Sequence, residues 1–411
     1  MEYLKCFSKS LKAFLVTKFF AYGQEAFLKF LINIYLWRIS NDMSFLVLYN
    51  IIFEISHGLT YFPAGKISKE YDRFLPLRTG LVLHCVFLGL ILFLKESIIQ
   101  YVIPVAIIGG VAHGAYWSSD NLLKFDLTNS NNRLKFTAVH HILKQTAQAL
   151  IPLIASILVV AKNGAVVISY AGVFVASLIF TVLSLISTFF ISKQNHFSQN
   201  SYTPLKTALV LLRNNNIRVA GISIFLSYVS DILPILLGLV LFFSSGTELS
   251  VGSYQFITIV IAIAVNFFVG EYFSRRDYKK LLVYGGLINF SLIVILLFSQ
   301  NFVSVLIYGI LSSIFSVANN PFYPLVQDSL GAYANDKQQL IDIRVEFTTI
   351  IEMFVVSGKI VGLLILLLIY FDPGFKAIAV SVVIFAFTRL LANIYISTIK
   401  IGSSVAIDSL N

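Results

Sequence analysis

Apolar runs long enough to cross the roughly 30 Å hydrocarbon core of a bilayer as single helices recur along this whole chain. Most are separated by only a few polar residues. In hydrocarbon every backbone N–H and C=O must be satisfied within the protein, so such a chain folds as packed helices or as a closed barrel, and runs of this length select helices. The runs fall at residues 14–37, 45–67, 77–94, 98–118, 136–161, 165–191, 219–243, 254–273, 281–298, 302–324, 347–370 and 375–399. That makes twelve, six in each half. With 57% hydrophobic and only 12% charged residues, a soluble domain could not cover its own apolar surface. The expected fold class is all-α integral membrane, with twelve transmembrane helices. Residues 1–192 would form one six-helix bundle, 193–218 a cytoplasmic linker whose 204–213 portion suits a short amphipathic surface helix, and 219–411 a second bundle.

The halves echo each other. Arg133-Leu-Lys-Phe136-Thr137 enters the fifth run and Arg344-Val-Glu-Phe347-Thr348 the eleventh, while Gly65 and Asp72 are matched by Gly270 and Asp277. Offsets near half the chain length are expected of two parallel repeats of one membrane module, a transporter architecture.

Positive charge sets the orientation. Of 30 Lys and Arg residues, Arg38, Lys95, Lys162 and Lys376 fall on one side, Lys18, Lys29, Lys144, Lys359 and Arg389 lie within runs, and the other 21 share the side of both termini. By the positive-inside rule that side is cytoplasmic, which places a multi-pass chain in a cell (inner or plasma) membrane. The net charge of +10 therefore reads as topology, and nucleic acid is not an expected partner. Cys6 and Cys85 match no metal spacing, and no cofactor is expected.

Charges inside the runs are costly and carry the functional argument. On the first helix Lys18, Tyr22, Glu25, Lys29 and Asn33 fall on one stripe that cannot face lipid, with Glu25 near the midplane. Glu25 and Lys29, four apart, either neutralise each other as a structural pair or act directly on substrate or protons. Asn50, Glu54, His57 and Tyr61 share a face of the second helix, where a carboxylate beside an imidazole either relays protons or locks packing. Thr137, His141, Lys144 and Gln148 on the fifth helix align with Thr348, Glu352, Val355 and Lys359 on the eleventh, the two copies of a shared inward wall. Asp231 on the seventh helix and Arg389 on the twelfth are two further expensive charges, and Pro152 can kink the fifth helix.

Together these features resemble the major facilitator superfamily of secondary transporters over nearly the whole chain. That family's loop signature begins with Gly, has Asp four residues later and continues through a basic turn. Here Gly65 and Arg73 are kept, but Lys69 stands at the Asp position and Asp72 at a Gly position; the second copy runs from Gly270 through Ser274, Arg275 and Arg276 to Asp277. The resemblance implies a cytoplasmic gate made by Gly65, Asp72, Arg73, Gly270, Arg275 and Asp277 with Asp120 or Asp126 at the end of the fourth helix. The family's proton-coupling arginine is replaced by Gly110, four before Gly114, and His113 stands where Gln is usual. Small residues at Ala138, Ala147, Ala155 and Ser156, interrupted by Ile151, weakly match the exporters' fifth-helix signature.

The expected function is alternating-access secondary transport, with proton-coupled export of a small amphipathic compound, drug or peptide. Nutrient uptake and movement of a metal ion or lipid-linked substrate are the alternatives. Proton-coupling candidates are Glu25, Glu54, His57 and His113; substrate or gating candidates are Lys29, His141, Lys144, Asp231, Glu352 and Lys359. No nucleophile with a positioned base and no His-Glu-x-x-His zinc motif occurs, so an enzyme is not expected. The partners expected are a small-molecule substrate, protons and the lipid bilayer, acting on a monomer.

Overall fold

The computed structural model describes residues 7–128, 130–160, 166–192, 201–233, 236–237, 241–242, 247–272, 278–298, 302–315, 322–331, 333, 337–369 and 375–399. Among these residues the secondary structure is helical, with no strand. The helices are α1 (Lys9–Ser40), α2 (Met43–Glu70), α3 (Phe74–Leu94), α4 (Val102–Asp126), α5 (Ser130–Val160), α6 (Val166–Ser187), α7 (Pro204–Leu211), α8 (Asn215–Val229), α9 (Glu248–Tyr272), α10 (Tyr278–Phe298), α11 (Phe302–Phe315), α12 (Phe322–Gly331), α13 (Lys337–Ile369) and α14 (Phe375–Ile396). Five stretches are long and apolar enough to cross a membrane: Met43–Glu70, Phe74–Ile99, Val102–Lys124, Tyr170–Phe190 and Ile343–Ile369. α1 is longer than any of these but carries Lys18, Glu25 and Lys29, which lower its mean hydropathy. The expected surface helix in the linker is α7, with Leu205, Leu209 and Val210 exposed.

Local chemistry sets the breaks. Ser8 caps α1 by accepting the Leu11 N–H at 3.1 Å. Asn41 ends the helix in the left-handed region at φ 49°, returning its N–H to the Trp37 carbonyl at 2.7 Å. Asp42 then caps α2 through the Ser44 N–H at 2.8 Å, so the turn between the helices is two residues long. Asp72 accepts the Phe74 N–H at 2.8 Å where α3 begins.

The chain divides into two compact units, Met1–Pro204 with Ile341–Thr349, and Leu205–Leu340 with Ile350–Ala406. The start of α13 thus packs with the first unit. Inside that unit α4 packs on α2 and α3, and α6 on α1 and α3. Inside the second unit α11 packs on α9 and α10, and α14 on α8 and α10, the same order of neighbours. Phe14, Leu77, Leu81, Tyr116, Leu123 and Phe136 form an apolar core in the first unit, with Phe14 and Phe136 stacked at 6.0 Å.

Backbones meet closely where glycines sit one turn apart. A Cβ at Gly110 would stand 2.2 Å from the Phe53 carbonyl oxygen and one at Gly114 2.5 Å from that of His57, so α4 rests directly on α2. In the second unit, Cβ atoms at Gly358 and Gly362 would each stand 2.4 Å from carbonyl oxygens of α8.

Candidate functional site

The polar stripe of α1 turns inward. Lys18 is fully buried, Tyr22 is 3% and Asn33 7% exposed, while Val16 and Phe19 on other faces are exposed. Lys18 Nζ donates to Asp120 of α4 at 2.8 Å and to the Tyr116 hydroxyl at 3.2 Å. The rings of Tyr22, Trp117 and Tyr116 surround the ammonium at 4.5, 4.7 and 5.2 Å, near enough for cation–π attraction. Lys124, one turn beyond Asp120, reaches its other carboxylate oxygen at 2.8 Å and lies 5.1 Å from the Trp117 ring. Tyr22 hydrogen-bonds to His140 of α5. A fully buried carboxylate thus holds Lys18 inside an aromatic cage and the partly exposed Lys124 at its edge, which offsets desolvation costs that are several kcal/mol per buried ion.

A second cluster adjoins it. His57 Nδ1 of α2 meets Glu54 at 3.1 Å, and the His57 ring lies 4.8 Å from that of His113 on α4. His113 in turn neighbours His84 at 6.2 Å and Trp117 at 5.9 Å. Above and below, Asn50 donates to Asn33 at 2.9 Å, and Asn121 to the Tyr61 hydroxyl at 3.0 Å. Through Trp117 the Glu54–His57–His113 group touches the Lys18–Asp120 cage, so one polar lattice runs across α1, α2 and α4. Glu25, half-buried on α1, acts electrostatically on Lys18 and His84. Among the described residues, no three His, Cys, Asp or Glu side chains are arranged to hold a metal ion.

The third cluster lies where α2 ends. Lys69 and Glu346 of α13 form an ion pair at 2.5 Å, each side chain 2% exposed. Arg73 pairs with Asp126 at the end of α4. Burial and the neighbouring Arg344 charge lower the Arg73 guanidinium to about 10, still protonated at neutral pH. The loop's basic end therefore meets Asp126, while Asp120 is drawn inward to Lys18.

Of the other sequence candidates, His141 is exposed on α5, and Lys144 is half-buried there. Asp231 is exposed in a single 3-10 turn, Ser230–Ile232. Glu352 and Lys359 are half-buried on α13, with Lys359 5.9 Å from the Tyr228 ring. Arg389 of α14 hydrogen-bonds to Ser227 and lies 5.5 Å from the Phe322 ring. The Lys29 side chain, Arg275 and Asp277 lie outside the described residues, and Gly270 is described only as backbone of α9. Sequence reasoning did not pair Lys18 with Asp120, nor Lys69 with Glu346. The signal for the second pair was present: Lys69 stands where the resembled signature has an acid, and Glu346 stands where the first copy of the repeated stretch has Lys135.

A family profile described as Major Facilitator Superfamily matches residues 14–338. The chain is 25% identical over 340 residues to the uncharacterized protein YqgE of Bacillus subtilis (strain 168), covering 82% of this chain and 77% of that protein. A bacterial homologue of the iron transporter ferroportin, in its inward-facing state, superposes with a TM-score of 0.69 at 14% identity, covering 94% of this chain and 98% of the other. The human organic anion transporter MFSD10 (TETRAN) does so with a TM-score of 0.68 at 13% identity, covering 94% and 99%. At such identities the likeness is one of fold.

Proposed function

The chain belongs to the Major Facilitator Superfamily, and on that premise we propose that it is a secondary active transporter working by alternating access, whose task is proton-coupled export of a small amphipathic compound, drug or peptide. The observation that carries this reading is the continuous lattice, buried at His57, Lys18 and Asp120, from Glu54 through His57, His113 and Trp117 to Lys18 and Asp120. Ionisable groups in membrane helices are expensive, and a carboxylate touching an imidazole is the arrangement that takes up and passes a proton once water reaches it. The rings lining the lattice suit an amphipathic ligand with an apolar body and a polar end. Export rather than uptake rests on the small residues Ala147, Ala155 and Ser156 packed in α5. Lys69–Glu346 and Arg73–Asp126 would close the cytoplasmic end, with both termini and the linker on that side.

Reconstitution of the full chain into proteoliposomes with an imposed pH gradient tests the reading. Gradient-driven movement of an amphipathic dye, lost in Glu54→Gln, is the expected result. Movement that ignores the gradient would remove proton coupling, and accumulation in the opposite direction would replace export by uptake. Alkylation of Arg213→Cys from outside intact cells, in a background lacking Cys6 and Cys85, would reverse the orientation.

A further inference from the structure

The sequence assigns the linker a connecting role and a short surface helix, yet its last residues before α7 hydrogen-bond to the ends of α2 and α13. The Tyr202 N–H donates to Glu70 Oε1 at 3.1 Å, and the Thr203 N–H reaches Glu346 Oε1, the atom that also takes Lys69, at 3.4 Å. The Tyr202 hydroxyl bonds to Thr349 Oγ1 at 2.9 Å. Its ring end rests over Gly65: a Cβ there would stand 2.7 Å from the hydroxyl oxygen, 3.1 Å from Cζ and 3.3 Å from Thr349 Oγ1. All these groups belong to the first compact unit.

We propose that Tyr202 and Thr203 form a strap that holds the end of α2 against the start of α13, and that Gly65 is glycine because the Tyr202 hydroxyl occupies the space its side chain would need. The proposal rests on the alternating-access reading for its purpose, since parting Lys69 from Glu346 then requires the strap to leave as well. Two backbone amides and one hydroxyl add to a single ion pair, and they converge on both of its helices. Tyr202 is thus a positioning residue: it touches neither the lattice nor any substrate group, and it sets how readily the Lys69–Glu346 contact opens. The linker becomes a point from which opening can be controlled, because anything that displaces these two residues removes three bonds at once.

The test uses the purified full chain with Cys6 and Cys85 replaced by Ala and with Val345, buried at 3% exposure on α13, replaced by Cys. The rate of its alkylation by N-ethylmaleimide reports opening. Tyr202→Phe, which keeps the ring, should speed alkylation about two- to twelvefold, the effect of losing one ordinary hydrogen bond. Tyr202→Ala should speed it more, and Gly65→Ala should match Tyr202→Ala. The deciding comparison is the double variant. With Tyr202 already Ala, adding Gly65→Ala should change the rate far less than it does in the parent, since only Thr349 Oγ1 at 3.3 Å then remains beside the new Cβ. Equal rates in Tyr202→Phe, Tyr202→Ala and the parent would overturn the strap, and a Gly65→Ala effect that persists undiminished in the Tyr202→Ala background would overturn the role given to Gly65. Thr349→Val supplies a second route to the same bond should Tyr202→Ala fail to fold. None of these readouts measures transport, so a strap that behaves as stated in a protein that moves no solute would sink the transport reading alone.

Discussion

Lys69 and Glu346 stand 277 positions apart and form an ion pair with both side chains almost wholly enclosed. Removing either charge takes from the other the ion pair that offsets its burial, which costs up to about 3–5 kcal/mol, whereas replacing both by apolar residues of similar volume costs less. Lys69→Met and Glu346→Gln should each melt well below the parent in detergent, and Lys69→Met with Glu346→Met should recover most of the loss. A double variant no more stable than the worse single one would show that the two do not act as a pair.

The Lys18–Asp120–Lys124 arrangement is asymmetric, and the asymmetry is measurable. Asp120→Asn strips both lysines of their carboxylate, while Lys18→Met leaves Asp120 paired with Lys124. Asp120→Asn should therefore be the more damaging by at least about 1–2 kcal/mol, read from thermal unfolding. The reverse order would mean that the aromatic cage around Lys18, rather than the carboxylate, holds this site together.

Glu25 separates coupling from structure. If it exchanges protons, Glu25→Gln abolishes gradient-driven transport while exchange of substrate down its own gradient survives. Restored proton-driven transport in Glu25→Gln combined with Lys29→Met, assayed in proteoliposomes, would leave Glu25 as a structural partner only.

Tyr202 lies outside the membrane spans, and burial raises its phenol to about 12 despite the bond to Thr349, which acts the other way. An unfolded tyrosine ionises near pH 10. Between about pH 10 and 12 the folded chain thus keeps a proton that the unfolded chain has lost, and stability falls as pH rises through that window. The contribution is fully present below pH 10. Melting curves for the parent and Tyr202→Phe should run parallel at neutral pH and converge on the alkaline side; curves that stay parallel to pH 12 would place the phenol in water.

Helix identity was readable because lipid removes every other option for a long apolar run, and the inward turn of the α1 stripe followed from the cost of showing Lys18 to hydrocarbon. The Glu54–His57 contact was legible too, since residues three apart on a helix share a face. Tertiary pairing was not. Asp120 and Asp126 both lie near the end of α4, ~9 Å apart along it at about 1.5 Å per residue, and the position and rotation of that helix against its neighbours decide which meets Lys18 and which meets Arg73. The linker defeated sequence reasoning for another reason. Tyr202 contributes two hydrogen bonds, one of them through its backbone, and a backbone N–H looks the same in every residue but proline.

At Gly110 and Gly114 α4 meets main-chain atoms of α2 directly, because the glycines bring no side chain to the contact. The close approach at Gly110 and Gly114 itself does not depend on the chemistry of His57 and His113, so the backbone seam and the ionisable groups beside it are separable features of the same helix pair. A fold held at such seams can persist among proteins that share about one residue in seven.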